Sequence, residues 1–384
     1  MDSPIWKLPE LAIAIPALCI QWLLARWLLE LRAMRASPAA TRAARLALPV
    51  VCLWLLFGLS YSFTHAASLL PYRWWLLWIR GAALVWTLCS AGMLLVAFMW
   101  RQVPAFDPRR RRLLAAGRAA MFAAPVVWAG FGILVERTRF RVKEVNVLIP
   151  GLPKDLDGLR LAQITDIHMS PFLSPRDLDR AVDMANETRP HVALVTGDLV
   201  TAEGDPLDAC LRGLTRLRAE AGIIGCLGNH EVFANCQTYT AAEGERLGIR
   251  FLRWQSEALR FGDAWVNFAG VDYQPMKTPY LRGAGLLVKP GSLNVLLSHN
   301  PDVFPEAAAQ GWDLTIAGHT HGGQITMEIL HQYVNVARFF TPYVYGLYRM
   351  GRSSAYVSRG LGTVGVPLRV GAPPEISLIR LCAS

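Results

Sequence analysis

Five short motifs in the second half of the chain carry the residue types that bind hard divalent metals. They are Asp166-Ile167-His168, Gly197-Asp198, Gly228-Asn229-His230-Glu231, Ser298-His299-Asn300-Pro301 and Gly318-His319-Thr320-His321-Gly322-Gly323. Five of the eight histidines in the chain fall in these motifs. Carboxylate, amide and imidazole donors together suit a pair of divalent ions, provided that the fold gathers them at one rim. Singly, each motif is weak. A lone Gly-Asp is usually a turn, and Asn229-His230 after Gly228 fits plain turn chemistry. A buried histidine is more often satisfied by hydrogen bonds than by a metal. The joint occurrence of the five, in this order, is the signal.

The elements that must position them are legible as short apolar runs. Leu159–Ile164 ends at Thr165-Asp166, 191–195 at Thr196-Gly197-Asp198, and 222–227 at Gly228-Asn229-His230. Leu293–Leu297 ends at Ser298-His299, and Leu314–Ala317 at Gly318-His319. Continuous apolar runs of this length read as strands buried on both faces. Amphipathic stretches at 175–188 and 207–219 separate the first three and begin at Ser174-Pro175 and Asp205-Pro206, good helix starts. The β-α-β-α-β order predicts parallel strands with helical crossovers, whose ligands gather beyond the carboxyl ends. All five motifs lie at predicted carboxyl ends. His319 and His321, read as an extended segment, point to one side.

The rest of the chain has a different character. Over 384 residues, 53% are hydrophobic, too many for one soluble domain of ordinary composition. Residues 1–150 hold 18 Lys and Arg against 6 Asp and Glu; residues 151–384 hold 21 against 23. The net charge of +10 therefore belongs to the N-terminal part, and the C-terminal part lacks the basic surplus of a nucleic-acid binder. Four membrane spans are expected, at about residues 11–29, 46–64, 81–100 and 119–135. Gln21 and Arg26 interrupt the first, which makes it the weakest. None of the seven cysteines forms a CxxC or zinc pattern.

Lys and Arg counts set the orientation. Arg32, Arg35, Arg42 and Arg45 follow span 1; Arg101, Arg109 to Arg112 and Arg118 follow span 3. These ten outnumber the six on the other side, Lys7, Arg73, Arg137, Arg139, Arg141 and Lys143. The count places both termini, and the domain carrying the motifs, outside the cytoplasm. Arg139 to Lys143 on anionic headgroups of the inner leaflet is the competing reading.

The motif set D-x-H, G-D, G-N-H-[DE], H and G-H-x-H resembles the calcineurin-like metallophosphoesterase superfamily over about residues 145–384. Leu156 to Arg160 (Leu-Asp-Gly-Leu-Arg), Gly360-Leu361-Gly362 and Pro374-Glu375-Ile376 resemble its membrane-associated bacterial branch. The resemblance implies an α/β fold, a four-layer α/β/β/α sandwich, over 141–384, and the spans read from the apolar runs make residues 1–140 a four-helix transmembrane anchor before it. The resemblance implies two divalent ions, and the mixed N and O donors suit Mn2+, Fe or Zn2+. Asp166, His168 and His321 would hold one, and Asn229, His299 and His319 the other, with Asp198 bridging both. A hydroxide between the ions would attack phosphorus in line, and His230 would face the phosphate and serve the leaving oxygen. His230 and Asp198 are the catalytic pair on this reading. Glu231 or another acid behind the ligands is expected to fix imidazole tautomers, and the sequence does not single one out.

The expected substrate is a phosphate ester or pyrophosphate. Four spans, and an aromatic stretch from Gln324 to Gly351, favour a lipid-linked one. That stretch reads either as a hairpin or helix closing the core, or as a membrane-facing lip. The same branch includes UDP-2,3-diacylglucosamine pyrophosphatases, which would need a cytoplasmic domain. A bacterial inner (plasma) membrane location and contact with membrane lipids complete the expectation. A non-catalytic membrane scaffold would be expected to lack ligands, and a transporter to carry mid-span charges; neither pattern is present.

Overall fold

The computed structural model describes residues 8–31, 36–60, 74–102, 111–275, 281–329 and 332–384. The chain divides into two compact units: Met1–Ile133 with Gly365–Leu368, and Leu134–Val364 with Arg369–Ser384.

Among its described residues the first unit holds four α-helices, α1 (Leu8–Glu30), α2 (Pro38–Ser60), α3 (Trp74–Arg101) and α4 (Arg111–Leu134). Each is long and apolar enough to cross a membrane. Large apolar side chains such as Leu46, Leu53, Phe98 and Val127 point outward, as they should where the solvent is lipid. Ala14 and Ala17 of α1, Leu55 and Leu59 of α2 and Ala83 of α3 pack together. Gly58 belongs to this seam: a Cβ there would lie 2.9 Å from that of Ala83. Gln21, the polar interruption of the first span, accepts a hydrogen bond from the Trp86 indole at 2.9 Å.

All four helices begin earlier than the apolar pattern predicts: α1 by three residues and α3 at Trp74 rather than residue 81. α2 starts at Pro38, eight residues before the expected span, and carries Arg42 and Arg45. α4 starts at Arg111 rather than residue 119. Backbone hydrogen bonding does not stop where the hydrocarbon-matched stretch stops, and Ser37 caps α2 by accepting from the Ala40 amide. Residues 61–64 of the expected second span, with His65, lie outside the described residues.

The second unit is built on two six-stranded sheets. One contains β1 (Arg141–Ile149), β2 (Arg160–Ile164), β3 (Val192–Thr196), β4 (Ile223–Cys226), β5 (Ile249–Phe251) and the C-terminal β14 (Glu375–Ala383), in the order β1-β14-β2-β3-β4-β5. β2 to β5 are parallel, as the crossovers require, and β14 runs antiparallel to β2. The other contains β6 (Gln255–Phe261), β7 (Ala264–Gly270), β8 (Leu293–Leu297), β9 (Leu314–Ala317), β12 (Gly346–Met350) and β13 (Ser353–Val357), in the order β12-β13-β9-β8-β7-β6. A separate hairpin pairs β10 (Thr326–Ile329) with β11 (Gln332–Asn335).

Strand alternation sorts these residues into three cores. Val192 and Leu194 of β3 meet Val295 and Leu297 of β8 and Ile316 of β9 between the sheets. Ala193 and Val195, on the other face of β3, pack under α5 (Pro175–Glu187) and α6 (Leu207–Leu214). Leu296 and Ala269 face Val303 and Ala307, where α9 (Phe304–Ala309) lies. Three cores separate four layers, α/β/β/α. A Ser174/Asp177 capping box starts α5, as the Ser-Pro signal predicts. α6 stops at Leu214 rather than near residue 219, and a tight turn from Leu214 carries Leu217 back into the core. His191 is structural: its Nδ1 accepts from the Arg160 amide at 2.9 Å.

Candidate metal centre

The five motifs come together where the strands of both sheets end. Asp166 and His168 follow β2, Asp198 follows β3, and Asn229 opens the short helix α7 (Asn229–Phe233) just beyond β4. His299 follows β8, and His319 and His321 follow β9. Five of these residues have left-handed backbone: Asp166 (φ 51°), His168 (47°), Asp198 (55°), His319 (75°) and His321 (52°). Such conformations cost energy in non-glycine residues and persist where surroundings over-determine them, most often at functional sites. They also correct one expectation. His319 and His321 do not lie on an extended segment; the chain turns at both, and each reaches a different group of ligands.

Two glycines make the approach possible. A Cβ on Gly228 would fall 2.1 Å from Asp198 Oδ1, and one on Gly318 would fall 2.2 Å from Asp166 Oδ2.

Asp166, His168 and His321 form one group of donor atoms; Asp198, His299 and His319 form a second. His168 Nε2 lies 3.1 Å from His321 Nε2, and His321 Nε2 lies 3.4 Å from Asp166 Oδ1. Asp198 Oδ2 stands between the groups, 2.9 Å from His299 Nε2 and 3.4 Å from His168 Nε2. Asn229 precedes His230, whose amide donates to Asp198 Oδ1 at 2.9 Å. The structure thus brings together every residue singled out from the sequence: Asp166, His168, Asp198, Asn229, His230, His299, His319 and His321.

The donor set fits divalent ions. Asn229 Oδ1 and His299 Nε2 are buried without a hydrogen-bond partner. His299 Nε2 is close to Asp198 Oδ2 but out of line for a hydrogen bond. Buried orphan lone pairs beside buried carboxylates are what a cation would satisfy. Backbone carbonyls set the ring tautomers. Nδ1 of His299 donates to Thr196 O at 2.7 Å, and Nδ1 of His230 donates to Thr201 O at 2.6 Å. A carbonyl can only accept, so Nδ1 carries a proton, and it is the neutral ring that keeps its lone pair on Nε2. Glu231, expected on the imidazoles, instead clamps the backbone. Its carboxylate accepts from the amides of Asp198 (3.0 Å), Leu199 (2.7 Å) and Gly228 (2.7 Å).

Protonation follows from burial and charge. Burial pushes the His168 and His321 imidazoles well below their ordinary value and His319 down to about 3. Burial opposes the charge on His299 too, but Asp198 and Asp166 beside it raise it to about 10. Burial raises the Asp166 carboxyl to about 6. Burial also works against ionised Asp198, yet His299 and its neighbours hold that carboxyl well below the usual range. In the metal-free protein, a proton on His299 stands where a cation's charge belongs.

Sequence reasoning missed Arg369. It is fully buried, and its guanidinium donates to Gly362 O and Ala372 O (3.0 and 2.9 Å) and Arg359 O (2.9 Å), with Nη2 3.4 Å from His321 Nδ1. A lone arginine within Val366-Pro367-Leu368-Arg369-Val370 was the available signal. Tyr273, with its ring 6.3 Å from His319, and Phe233, 5.3 Å from His230, were also invisible in spacing.

Residues 159–323 match the family model of the calcineurin-like phosphoesterases. A zebrafish (Danio rerio) transmembrane protein with metallophosphoesterase domain is 31% identical over 66% of this chain and 60% of its own length. An uncharacterized metallophosphoesterase of Campylobacter jejuni is 30% identical, over 62% of this chain and 63% of its own length. The uncharacterized metallophosphoesterase YkuE of Bacillus subtilis is 27% identical, over 71% of this chain and 97% of its own length. The chain thus spans under two thirds of the first two of these relatives. Residues 159–323 thus form a calcineurin-like phosphoesterase domain.

Proposed function

We propose that this protein is a membrane-anchored two-metal phosphoesterase that cleaves a lipid-linked phosphate ester or pyrophosphate. One observation carries the reading: seven ligand-type side chains converge at the strand ends with Asn229 Oδ1 and His299 Nε2 buried and unpartnered. Asp166, His168 and His321 would hold one ion, Asn229, His299 and His319 the other, and Asp198 would serve both. Such a pair, when bound, supplies a nucleophile at neutral pH and stabilises charge on the phosphoryl group. Glu231 fixes the amides around Asp198, so the shared carboxylate keeps its place. His230 keeps its Nδ1 proton on Thr201, which leaves Nε2 to exchange a proton with the leaving oxygen.

Two features support a lipid-linked substrate. Residues 1–140 are assigned as the anchor and 141–384 as the catalytic domain, and four helices of the anchor are long and apolar enough to cross a membrane. The segment after the last ligand turn also exposes Val334, Val336, Phe339 (85%) and Phe340 (68%) in close succession. Consecutive exposed aromatics suit a water–lipid boundary. The second half of the same stretch behaves differently: Tyr343, half-buried, packs on Phe304 and Tyr348.

The Lys and Arg count assigns the domain to the outer side of a bacterial inner membrane. A pyrophosphatase of the UDP-2,3-diacylglucosamine type, facing the cytoplasm, is the second reading. Hydrolysis of bis(4-nitrophenyl) phosphate with Mn2+, in the wild type and in Asp198→Ala, tests the chemistry: equal rates in the two proteins sink it. A reporter fused after Ser384 decides the side, and incubation with lipid extracts followed by mass analysis identifies the product.

A further inference from the structure

One cation beside the last ligand turn has no anion. Arg359 lies between β13 and β14, and its side chain crosses Gly322, the residue after His321. A Cβ on Gly322 would lie 2.7 Å from Arg359 Cγ. The guanidinium carbon stands 4.2 Å from the centroid of the Tyr345 ring. Arg359 Nε is buried and has no hydrogen-bond partner. Among the described residues, no carboxylate reaches the guanidinium.

Arg369, ten residues on, shows the contrast. Its Nε, Nη1 and Nη2 all point at backbone carbonyls, so that arginine is consumed by the fold. Tyr345 meets Arg359 as a cation–π partner. Cation–π attraction orients a guanidinium but satisfies none of its in-plane N–H donors. Those donors form a fork that matches a phosphoryl group, and a partly buried cation needs such a partner.

We propose that Arg359 receives a second anionic group of the substrate, adjacent to the one that reacts, and so selects esters of diphosphate over single phosphodiesters. This rests on the phosphoesterase reading and narrows its substrate class. Tyr345 is the positioning residue that holds the guanidinium face.

The test uses the full chain in detergent with buffered free Mn2+. Two probes are compared, bis(4-nitrophenyl) phosphate with one negative charge and P1,P2-bis(4-nitrophenyl) diphosphate with two. The ratio of kcat/KM, diphosphate over monophosphate diester, should fall about tenfold or more in Arg359→Gln, through KM rather than kcat. Arg359→Lys, which keeps the charge without the fork, should recover part of the ratio. A ratio within twofold of wild type in Arg359→Gln overturns the proposal, while the monophosphate activity still supports the phosphoesterase reading. A wild type inert to both probes overturns both. Should Arg359→Gln fail to fold, the wild type decides alone. Methylenediphosphonate should then inhibit monophosphate diester hydrolysis about tenfold more strongly than methylphosphonate; equal inhibition overturns the proposal.

Discussion

The two halves of the metal centre are built from similar residues and behave differently. The group of Asp166, His168 and His321 keeps both imidazoles neutral, because burial pushes them far down. Its backbone is left-handed at all three ligands, and Arg369 bonds the carbonyls around it. The group of Asn229, His299 and His319 shares Asp198, and there one imidazole is driven up to about 10. Similar residues thus give one half that is ready for a cation and another that must first lose a proton. The difference comes from where the carboxylates fall: Asp198 Oδ2 is 2.9 Å from His299 Nε2 but 3.4 Å from His168 Nε2.

The largest effect should erase the distinction. Asp198→Ala removes the side chain both halves use, so metal content should fall from two ions to fewer than one and kcat by about a thousandfold or more. Elemental analysis beside a hydrolysis assay reads both; retention of two ions would contradict the shared role. Arg369→Leu should next strike the first half alone. It leaves several buried carbonyls unpaired and should cost about 3–5 kcal/mol of unfolding free energy by chemical denaturation. A loss below about 1 kcal/mol would mean that the carbonyls find other partners.

pH separates the halves more finely. In the metal-free protein, the raised His299 contributes stability that is complete below its unfolded value of about 6.5 and is lost as pH rises through about 10. Metal affinity should move the opposite way, because the incoming ion displaces that proton: about tenfold per pH unit for one proton released. Titration calorimetry in two buffers of different ionisation enthalpy counts the protons. His299→Ala should abolish the release and His321→Ala should leave it, and identical proton counts in the two variants would collapse the comparison. The smallest change is Thr165→Val, which removes a hydroxyl 2.9 Å from both Asp166 Oδ2 and Thr196 O, with one proton to give to one of them. About 1 kcal/mol of stability should be lost, read as a shift in the denaturation midpoint at constant slope.

Much of this site was legible in the sequence, for a physical reason. Parallel strands buried on both faces leave continuous apolar runs, and the residue after each run sits at the rim where ligands gather. Val192–Thr196 then Gly197-Asp198 is such a case. The glycines at 228 and 318 are legible for the same reason, since a carboxylate fills the space of a side chain. Arg369 was not legible, because its role lies in carbonyls of Gly362, Ala372 and Arg359 that only the folded turn brings within reach. Glu231 was legible as an acid near the metals, but not as a clamp on three amides. The start of α2 at Pro38 was obscured because Arg42 and Arg45 read as a loop when only hydrophobicity is followed.

By itself the sequence determined the ligand chemistry, the apolar helices and the order of strands, because side-chain type and periodicity are properties of the chain. The tertiary structure decided which ligand joins which half, which imidazole carries the proton and that Arg359 Nε is left buried without a partner. Those depend on distances of a few ångströms between residues as far apart as Asp166 and His319, where desolvation and charge act through space and not along the chain.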